Sequence, residues 1–401
     1  MSISESNNCV FLLGAGFSAA YGPPVMNAFM GVARRNFFRL KNASPNDYLV
    51  TCYEEMLKFQ RECLASSWAF NRNWDNIEEL YTQADLLRLA AVPQSEQAEK
   101  ADGVCRWIAW SIWDVYRRVE NTMPPLPAVI GMVRGAGLNP VIITTNYDVV
   151  VEKSLQRGIN ANREYHYPGF PSMCNRKPVL DSNDVEIDAI QAPTVPSVPV
   201  IKLHGSVNWF SLAVDEAKWI ALNLSAQDPL ETVPSLDVSA ETFQRLRLVE
   251  RHSLPGAGHL VRPAIIPPML GKTASSPVIA IQWSTAISSI AEAREVWVVG
   301  YSFPTTDAFM KRLLTEGIKN NNDLERIVIV DLQPYEDWKA RLEDLFPPIM
   351  RTTKVEFLTM KADELLGQIS ESQHGYWTRA RLRNMSNANR QSAWTLTKYP
   401  P

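Results

Sequence analysis

The sequence predicts an α/β fold in which a parallel sheet carries helices on both faces and an inserted helical subdomain. Short, unbroken apolar runs recur along the 401 residues, and such runs are typical of parallel strands buried on both faces. Several runs end in a polar turn that contains glycine and then give way to a helical pattern. A chain of this length can hold one large α/β domain together with a helical insertion. Together these features indicate a Rossmann-like sheet.

The first apolar run, residues 10–13, breaks into the turn Gly-Ala-Gly-Phe-Ser-Ala. Gly14, Gly16 and Ala19 satisfy the G-x-G-x-x-G/A spacing of dinucleotide-binding turns. Glycines let the backbone approach a ligand, and the helix start beyond them offers unpaired amides, which suits a pyrophosphate. A dehydrogenase would also carry an acid roughly 20 residues further on, but residues 34–39 form a basic pattern. The turn therefore predicts a dinucleotide-phosphate site without favouring an oxidoreductase.

The bulk composition indicates a cytoplasmic protein with locally recognised partners. Lys and Arg total 40 against 43 Asp and Glu, a formal net charge of -3, so no global field favours nucleic acid or membrane. The N-terminus lacks the order of a signal peptide, and no apolar stretch approaches the ~18 residues that span a bilayer. The cysteines are odd in number and nowhere spaced C-x-x-C, so we expect no disulfide framework, zinc ribbon or bound metal. They are Cys9, Cys52, Cys63, Cys105 and Cys174.

A long block without strand signals follows the glycine turn. After Gly22-Pro23-Pro24 a helix is predicted from about residue 25 to 40, because proline is tolerated in a first helical turn. Further helices are predicted near residues 46–66, 75–91, 96–121 and 125–135. We interpret about 46–135 as an inserted helical subdomain that covers the ligand cleft as a lid or partner surface.

Two patterns inside this block have simple structural explanations. Asp75-Asn76-Ile77-Glu78 matches a capping box, in which the Asp accepts from first-turn amides and the Glu reaches back to the cap. Trp107, Trp110 and Trp113 form one aromatic stripe on a helix, which predicts core or interface packing rather than a base-stacking platform.

Strand signals return after the helical block. Residues 141–145, 200–203, 295–299 and 326–331 are apolar runs, and polar residues follow each of them. Such positions, at the carboxyl ends of buried strands, open into the crevice where α/β sheets bind ligands. Residues 158–199 indicate a long loop with one short hairpin, and helices are predicted over 277–292 and 305–318.

The C-terminal segment differs in composition from the rest. Beyond Glu371 it has no acid but several basic residues among Trp and Tyr: Arg379, Arg381, Arg383, Arg390 and Lys398. A solvated or subunit-contacting tail is the preferred interpretation, with a nucleic-acid arm as the alternative. We therefore predict a catalytic domain over 1–375 and a tail over 376–401.

Four strands thus end, in order, in Gly-Ala-Gly-x-Ser, Thr-Thr-Asn-Tyr-Asp, Leu-His-Gly-Ser and Val-Gly-Tyr-Ser. This ordered set resembles the sirtuin-like NAD-binding family over roughly residues 8–335. The resemblance is closer to the bacterial branch found in anti-phage defence than to the protein deacylases. Deacylases carry a four-cysteine zinc module and an acidic-aromatic-arginine segment after the glycine turn. This chain has no cysteine after Cys174 and has Val-Met-Asn-Ala-Phe at 25–29, so no zinc ribbon or acyl-lysine channel is expected.

The resemblance implies a role for each matched position. It makes Asn146, Asp148 and His204 the catalytic residues, around the nicotinamide ribose. It assigns NAD binding to Gly14, Ala15, Gly16, Ser18, Thr145, Gly300, Ser302 and Asp331. Two alternatives remain open from the residues alone: Asn146 caps the helix that follows it, and Asp331 caps a turn before Pro334.

These residue types suit hydrolysis of NAD+ to nicotinamide and ADP-ribose. Nicotinamide leaves as a neutral molecule, and the ribosyl centre passes through an oxocarbenium-like state. Asn146 would orient a water or ribose hydroxyl, Asp148 would stabilise positive charge, and His204, with an unperturbed pKa near ~6.5, would accept a proton. A non-catalytic NAD or ADP-ribose sensor and an NAD-dependent deacylase are the alternatives.

The resemblance also implies a biological setting. Related chains are defence effectors that deplete NAD+ in abortive infection, and a homo-oligomer docked on a HerA-type ring ATPase is the expected assembly. The sequence predicts no membrane contact and at most an indirect contact with nucleic acid.

Overall fold

The fold is taken from a computed structural model. It describes residues 7–66, 75–117, 123–156, 165–170, 179–180, 185–186, 197–212, 215–221, 237–238, 261–266, 276–304, 307–338, 354–371 and 394–395. The strands are β1 Asn8–Leu13, β2 Asn139–Thr144, β3 Tyr165–His166, β4 Val179–Leu180, β5 Val185–Glu186, β6 Val198–Lys202, β7 Gly205–Leu212, β8 Asp215–Ala221, β9 Asp237–Val238, β10 Val261–Ile265, β11 Ala293–Val299, β12 Arg326–Asp331, β13 Lys354–Thr359 and β14 Trp394–Thr395. The helices are α1 Ala15–Ser18, α2 Phe29–Ala43, α3 Tyr48–Ser66, α4 Ile77–Ala90, α5 Glu96–Tyr116, α6 Leu126–Gly135, α7 Val150–Leu155, α8 Pro277–Ala291, α9 Ala308–Lys319 and α10 Ala362–Glu371.

An eight-stranded sheet in the order β14-β13-β12-β11-β1-β2-β6-β3 forms the centre of the molecule. Every pairing in it is parallel except that of the edge strand β14 with β13. The apolar residues of β1 are buried, as the unbroken run predicts. The α/β prediction is confirmed.

The strand order places a topological switch point beside β1. From β1 the chain continues to β2 on one side of it, and later returns to β11 on the other side. Ligands of open α/β sheets bind outside the carboxyl ends of the strands at such a point. A ligand-binding site is therefore expected at the turns that follow β1 and β11.

Helices cover both faces of the sheet. On one face, α8 packs on β1, β6 and β11 and against α9. On the other face, α6 packs on β2 and against α7 and α10. These two layers bury the main hydrophobic core between helix and sheet. No helix in the described part of the chain is long and apolar enough to cross a bilayer.

The helices α2 to α5, which we call the helical segment (residues 29–116), begin and end within a few residues of their predicted bounds. Two of the stripe tryptophans, Trp110 and Trp113, are fully buried in a second hydrophobic cluster, which confirms core packing for them. Trp107 is partly buried against the same cluster.

The prediction that Asp75 caps α4 is wrong. The N-cap is Asn76, whose side chain accepts from the backbone N–H of Glu78 at 2.9 Å. Asp75 instead accepts hydrogen bonds from Arg34 of α2 (2.9 Å) and Gln60 of α3 (3.0 Å). Asp75 therefore joins two other helices to the start of α4, and its neighbour takes over the cap.

The helical segment is fastened to the loops at the carboxyl edge of the sheet. The indole N–H of Trp113 donates to the carbonyl of Val207 at 2.9 Å. The rings of Tyr116 and Tyr147 lie 5.7 Å apart, centroid to centroid. The second hydrophobic cluster therefore runs without a break from the helices into the polypeptide that follows β2 and β6.

The segments predicted to be irregular contain short strands. Within residues 158–199, β4 pairs with β5 antiparallel, which confirms a short hairpin, and β3 extends the main sheet beside β6. Trp394 and Thr395, predicted to belong to the tail, form the edge strand β14. The basic tail residues lie outside the described residues.

Candidate active site

A cavity of about 840 Å³ opens at the carboxyl edge of the sheet, within the ~300–1,000 Å³ usual for small-molecule sites. Its walls come from the turns after β1, β2, β6, β11 and β12, from α10 and from the helical segment. The predicted site residues that line it are Ala15, Gly16, Ser18, Thr145, Asn146, Asp148, His204, Gly300, Ser302 and Asp331. The predicted residue Gly14 is not among the lining residues.

The turns after β1 and β11 are in backbone contact, which explains their glycines. A Cβ on Gly14 would lie 2.5 Å from Cβ of Tyr301, and one on Gly16 would lie 2.9 Å from the carbonyl oxygen of Gly300. Gly300 itself has a φ of +62°, in the left-handed region. The glycine spacing thus serves the approach of one turn to another, and the NAD-binding role expected for Gly14 stays a prediction.

The helix that follows the glycine turn is short. α1 has four residues and continues as a 3-10 turn over Ala19–Tyr21. The N–H of Gly16 donates to the carbonyl of Gly300 at 2.9 Å, and that of Phe17 donates to Gly14 at 3.0 Å. Two of the amides expected to face a pyrophosphate are therefore used within the protein.

Asn146 is held in one orientation by its side-chain amide. Its Nδ2 donates to the carbonyl oxygen of Gly14 at 2.8 Å and to Oγ of Ser18 at 2.9 Å. A carbonyl oxygen only accepts, so Nδ2 must face Gly14 and Oδ1 must point the other way. The capping alternative for Asn146 is excluded, because Val149 is the N-cap of α7 and has no side-chain capping bond.

Asp148 supplies the acceptor at the start of α7. Its Oδ1 accepts from the backbone N–H of Val150 at 3.0 Å, and the side chain is 3% exposed. Burial raises the pKa of Asp148, against the opposing effects of Lys202, the Val150 N–H and the Ser18 hydroxyl. Ser18 thus links Asn146 and Asp148, since it accepts from the first and donates to the second.

A buried ion pair lies directly behind this loop. Nζ of Lys202 is 3.1 Å from Oε1 of Glu152 and donates to the backbone carbonyl of Asp148, and both side chains are at most 1% exposed. Tyr167 also donates to Oε1 of Glu152, at 2.8 Å. The last residue of β6 therefore fixes the backbone of the loop after β2.

His204 follows β6 and is buried among aromatic rings. Its ring centroid lies 6.3 Å from that of Tyr147 and 6.4 Å from that of Trp283. Gly205 beside it has a φ of +80°, and a Cβ there would lie 1.8 Å from the carbonyl oxygen of Ala264 in β10. Glycine is thus required at position 205 by the close approach of β10, which pairs antiparallel with β7, and the preceding residue His204 lies on the cavity wall.

The far end of the cavity is formed by the turns after β11 and β12. Tyr301 donates to Asp307 at 2.5 Å, and Asp307 in turn caps α9. Asp331 accepts from the N–H of Gln333 at 2.8 Å and also lines the cavity. The turn-capping alternative for Asp331 is therefore correct, and it coexists with a position on the cavity wall.

The helical segment contributes cavity residues that the sequence analysis did not predict. Glu78 from the first turn of α4 and Tyr116 from the last turn of α5 both line the cavity. The capping pattern accounts for Glu78 by local helix structure alone, so nothing in the sequence around it indicates a binding site. Only the packing of the helical segment against the sheet brings this carboxylate to the cavity.

Four of the five cysteines lie within the described residues. Cys9, Cys52, Cys63 and Cys105 are buried, and they form no disulfide in the part of the chain that the structure describes. Burial raises the pKa of Cys63 to about 11 and that of Cys105 to about 12, which keeps them as thiols near neutrality. Within the described residues, no group of three or more His, Cys, Asp or Glu is placed to hold a metal.

No protein-family model and no curated protein sequence matches the chain. Solved structures that resemble it are sirtuins. One of them, from "Structural Basis for the Mechanism and Regulation of Sir2 Enzymes", is 15% identical in sequence to this chain and superposes with a TM-score of 0.40. The match covers 95% of this chain and 94% of that chain. A second, from "The Structural basis of Sirtuin Substrate Affinity", is 16% identical in sequence with a TM-score of 0.38. That match covers 91% of this chain and 94% of that chain. These values assign neither an activity nor a substrate to the chain.

Proposed function

We propose that this protein hydrolyses NAD+ to nicotinamide and ADP-ribose, as its four strand-end motifs and their resemblance to sirtuin-like proteins suggest. The observation that carries the proposal is that Asn146, Asp148 and His204, from two separate loops, line one cavity. This cavity lies at the switch point where α/β sheets bind nucleotides.

Each of the three side chains has a task in the proposed reaction. Oδ1 of Asn146 orients a ribose hydroxyl or the attacking water, since its Nδ2 is already committed to Gly14 and Ser18. Asp148 favours positive charge at the ribose, and His204 accepts the proton of the attacking water. Nicotinamide departs as a neutral molecule, so no acid has to protonate it.

The remaining cavity residues hold the rest of the substrate in this proposal. Ala15, Gly16, Ser18 and Thr145 face the phosphates, with Gly300 and Ser302 beside them. Asp331 lies at the carboxyl end of β12, where a carboxylate accepts from ribose hydroxyls. NAD+ is the substrate, and no step uses a metal.

Release of nicotinamide tests the proposal. The purified chain, with any protein that co-purifies, is incubated with NAD+ in the presence and absence of an acetyl-lysine peptide. Release without peptide supports hydrolysis, release only with peptide indicates a deacylase, and binding without release indicates a sensor. His204→Ala and Asn146→Ala should abolish release. His166→Ala is the matched control, because His166 lies in β3 and does not line the cavity.

We further propose that the protein is an anti-phage effector that depletes NAD+ when activated in an oligomeric assembly. In this proposal residues 1–375, with an insertion at about 46–135, form the catalytic domain, and the resemblance to defence effectors suggests that a partner such as a HerA-type ring ATPase activates it. The mass of the native assembly and the identity of the co-purifying protein test this directly. A monomer active at full rate without a partner contradicts it.

A further inference from the structure

Glu78 is placed in the cavity by the start of α4. Asn76 caps the helix and accepts from the backbone N–H of Glu78, so the first turn is fixed in position. Glu78 and Tyr116 line the same cavity as Asn146 and His204. A carboxylate of the helical segment thus shares a cavity with the predicted catalytic residues of the sheet.

Three tyrosines locate Glu78 within the cavity. Tyr116, Tyr147 and Tyr301 come from three different elements, and all line the cavity. Burial raises the pKa of each, and the charge of Glu78 raises each of them further. The ring of Tyr147 is 5.7 Å from that of Tyr116 and 6.3 Å from that of His204. Glu78 and Tyr116 thus belong to a wall of the cavity that continues through Tyr147 to His204.

Asp148, another carboxylate on the cavity wall, is partly compensated by the protein. Asp148 accepts from Val150 and Ser18, and the ammonium of Lys202 lies behind its loop. Its negative charge is therefore partly balanced before any substrate enters. Glu78 brings a further carboxylate to the cavity from another element, so it adds to the negative field that a cationic substrate meets.

We propose that Glu78 is a further catalytic residue, whose carboxylate faces the nicotinamide ribose and stabilises the positive charge that develops there. This inference rests on the proposed hydrolysis. In that step the C1′–N bond breaks and its electron pair stays on nicotinamide, while a water oxygen bonds to C1′ and the water proton passes to His204. Glu78 forms no bond and moves no proton, and it acts through charge alone.

Glu78→Gln tests the inference, with Glu79→Gln as the matched control. Glu79 is the next residue of the same helical turn and does not line the cavity. We expect Glu78→Gln to lower kcat for nicotinamide release about 100-fold, the usual effect of removing one electrostatic stabiliser, and to raise KM by no more than about fivefold. Its preference for binding NAD+ over NADH, measured by calorimetry, should fall by about two- to fivefold, the worth of a partly screened ion pair. The nicotinamide ring of NADH is neutral, so it does not gain from the carboxylate.

The two readouts separate this inference from the proposed function. A Glu78→Gln variant that keeps kcat, or one that keeps the full preference for NAD+, overturns the role of Glu78. The same applies if Glu79→Gln has equal effects. If the wild-type protein releases no nicotinamide, the proposed hydrolysis fails, and the NAD+/NADH preference still decides whether Glu78 faces the nicotinamide. An unchanged preference then overturns that placement.

Discussion

The side chains of Asn146 and Asp148 hold the loop after β2 through different contacts. Asn146 ties the loop to the turn after β1 through Gly14 and Ser18, and Asp148 starts α7 by accepting from Val150. Their neighbour Tyr147 packs against the rings of Tyr116 and His204. The loop is therefore fixed by its own side chains before a ligand binds, which is the condition for electrostatic preorganisation.

Asp148→Asn should stabilise the folded protein more at high pH than at low pH. Burial raises the pKa of Asp148 above its ordinary value, so its neutral form is favoured by folding. The stability from that preference is present below the ordinary pKa and is lost as pH rises through the raised pKa. Asparagine mimics the neutral form at every pH. Urea unfolding should therefore show a gain at about pH 8 that shrinks towards about pH 4, while nicotinamide release is lost. A gain that does not change with pH contradicts the prediction.

Gly205→Ala should destabilise the protein more than Gly137→Ala does. The two glycines have nearly the same φ, +80° and +77°, so each alanine carries a similar backbone strain of about 1–2 kcal/mol. At Gly137 the new Cβ meets nothing within 4 Å, whereas at Gly205 it would lie 1.8 Å from the carbonyl oxygen of Ala264. We expect the Gly205 variant to lose about 1–3 kcal/mol more, the usual cost of overpacking. Equal losses in chemical denaturation would show that β10 moves away freely.

The elements β6 and α7 are joined by the pair of Lys202 and Glu152. Lys202 is the last residue of β6, and its ammonium group bonds both to Glu152 of α7 and to the loop that carries Asp148. Oε2 of Glu152 is buried without a hydrogen-bond partner. Removal of Lys202 would leave the buried carboxylate of Glu152 without a counter-ion. The pair is therefore costly to break on one side.

Lys202→Met should lower the free energy of unfolding by about 3–5 kcal/mol, the usual cost of breaking a buried pair on one side. Adding Glu152→Gln removes the stranded charge and keeps an acceptor for the Tyr167 hydroxyl. The double variant should therefore be more stable than Lys202→Met alone. Lys319→Met, at the exposed end of α9, should change stability by no more than about 0.5 kcal/mol. A double variant less stable than the single one would mean that Glu152 stabilises the fold by itself.

At the scale of the whole molecule, the sequence predicts the sheet well because its signals are local. Apolar runs mark the buried strands, and the polar residues after them, such as Asn146 and His204, fall at the strand ends that meet at one edge. The contact of Gly16 with Gly300 joins residues far apart in sequence, so a local spacing motif cannot reveal it. Glu78 was missed for a similar reason, because packing between the helical segment and the sheet decides where it points.

The same arrangement makes ligand binding a property of both parts of the molecule. The second hydrophobic cluster joins the helical segment to the loops after β2 and β6, and the cavity is lined from both sides. A ligand that binds only the assembled cavity suppresses every local opening that takes the cavity apart. Its effect should therefore reach α4 as well as the turns of the sheet.

ADP-ribose should slow amide hydrogen exchange in the first turn of α4 and in the turns after β1 and β11. At about 100 times Kd, an opening that destroys the site becomes about 100-fold rarer, so we expect exchange at these amides to slow by tenfold or more. The helix α3, Tyr48–Ser66, is the internal control, since none of its residues lines the cavity. Exchange measured by mass spectrometry should separate α4 from α3. Equal protection of the two helices would show a general stabilisation, and protection of the sheet turns alone would place the ligand outside the reach of the helical segment.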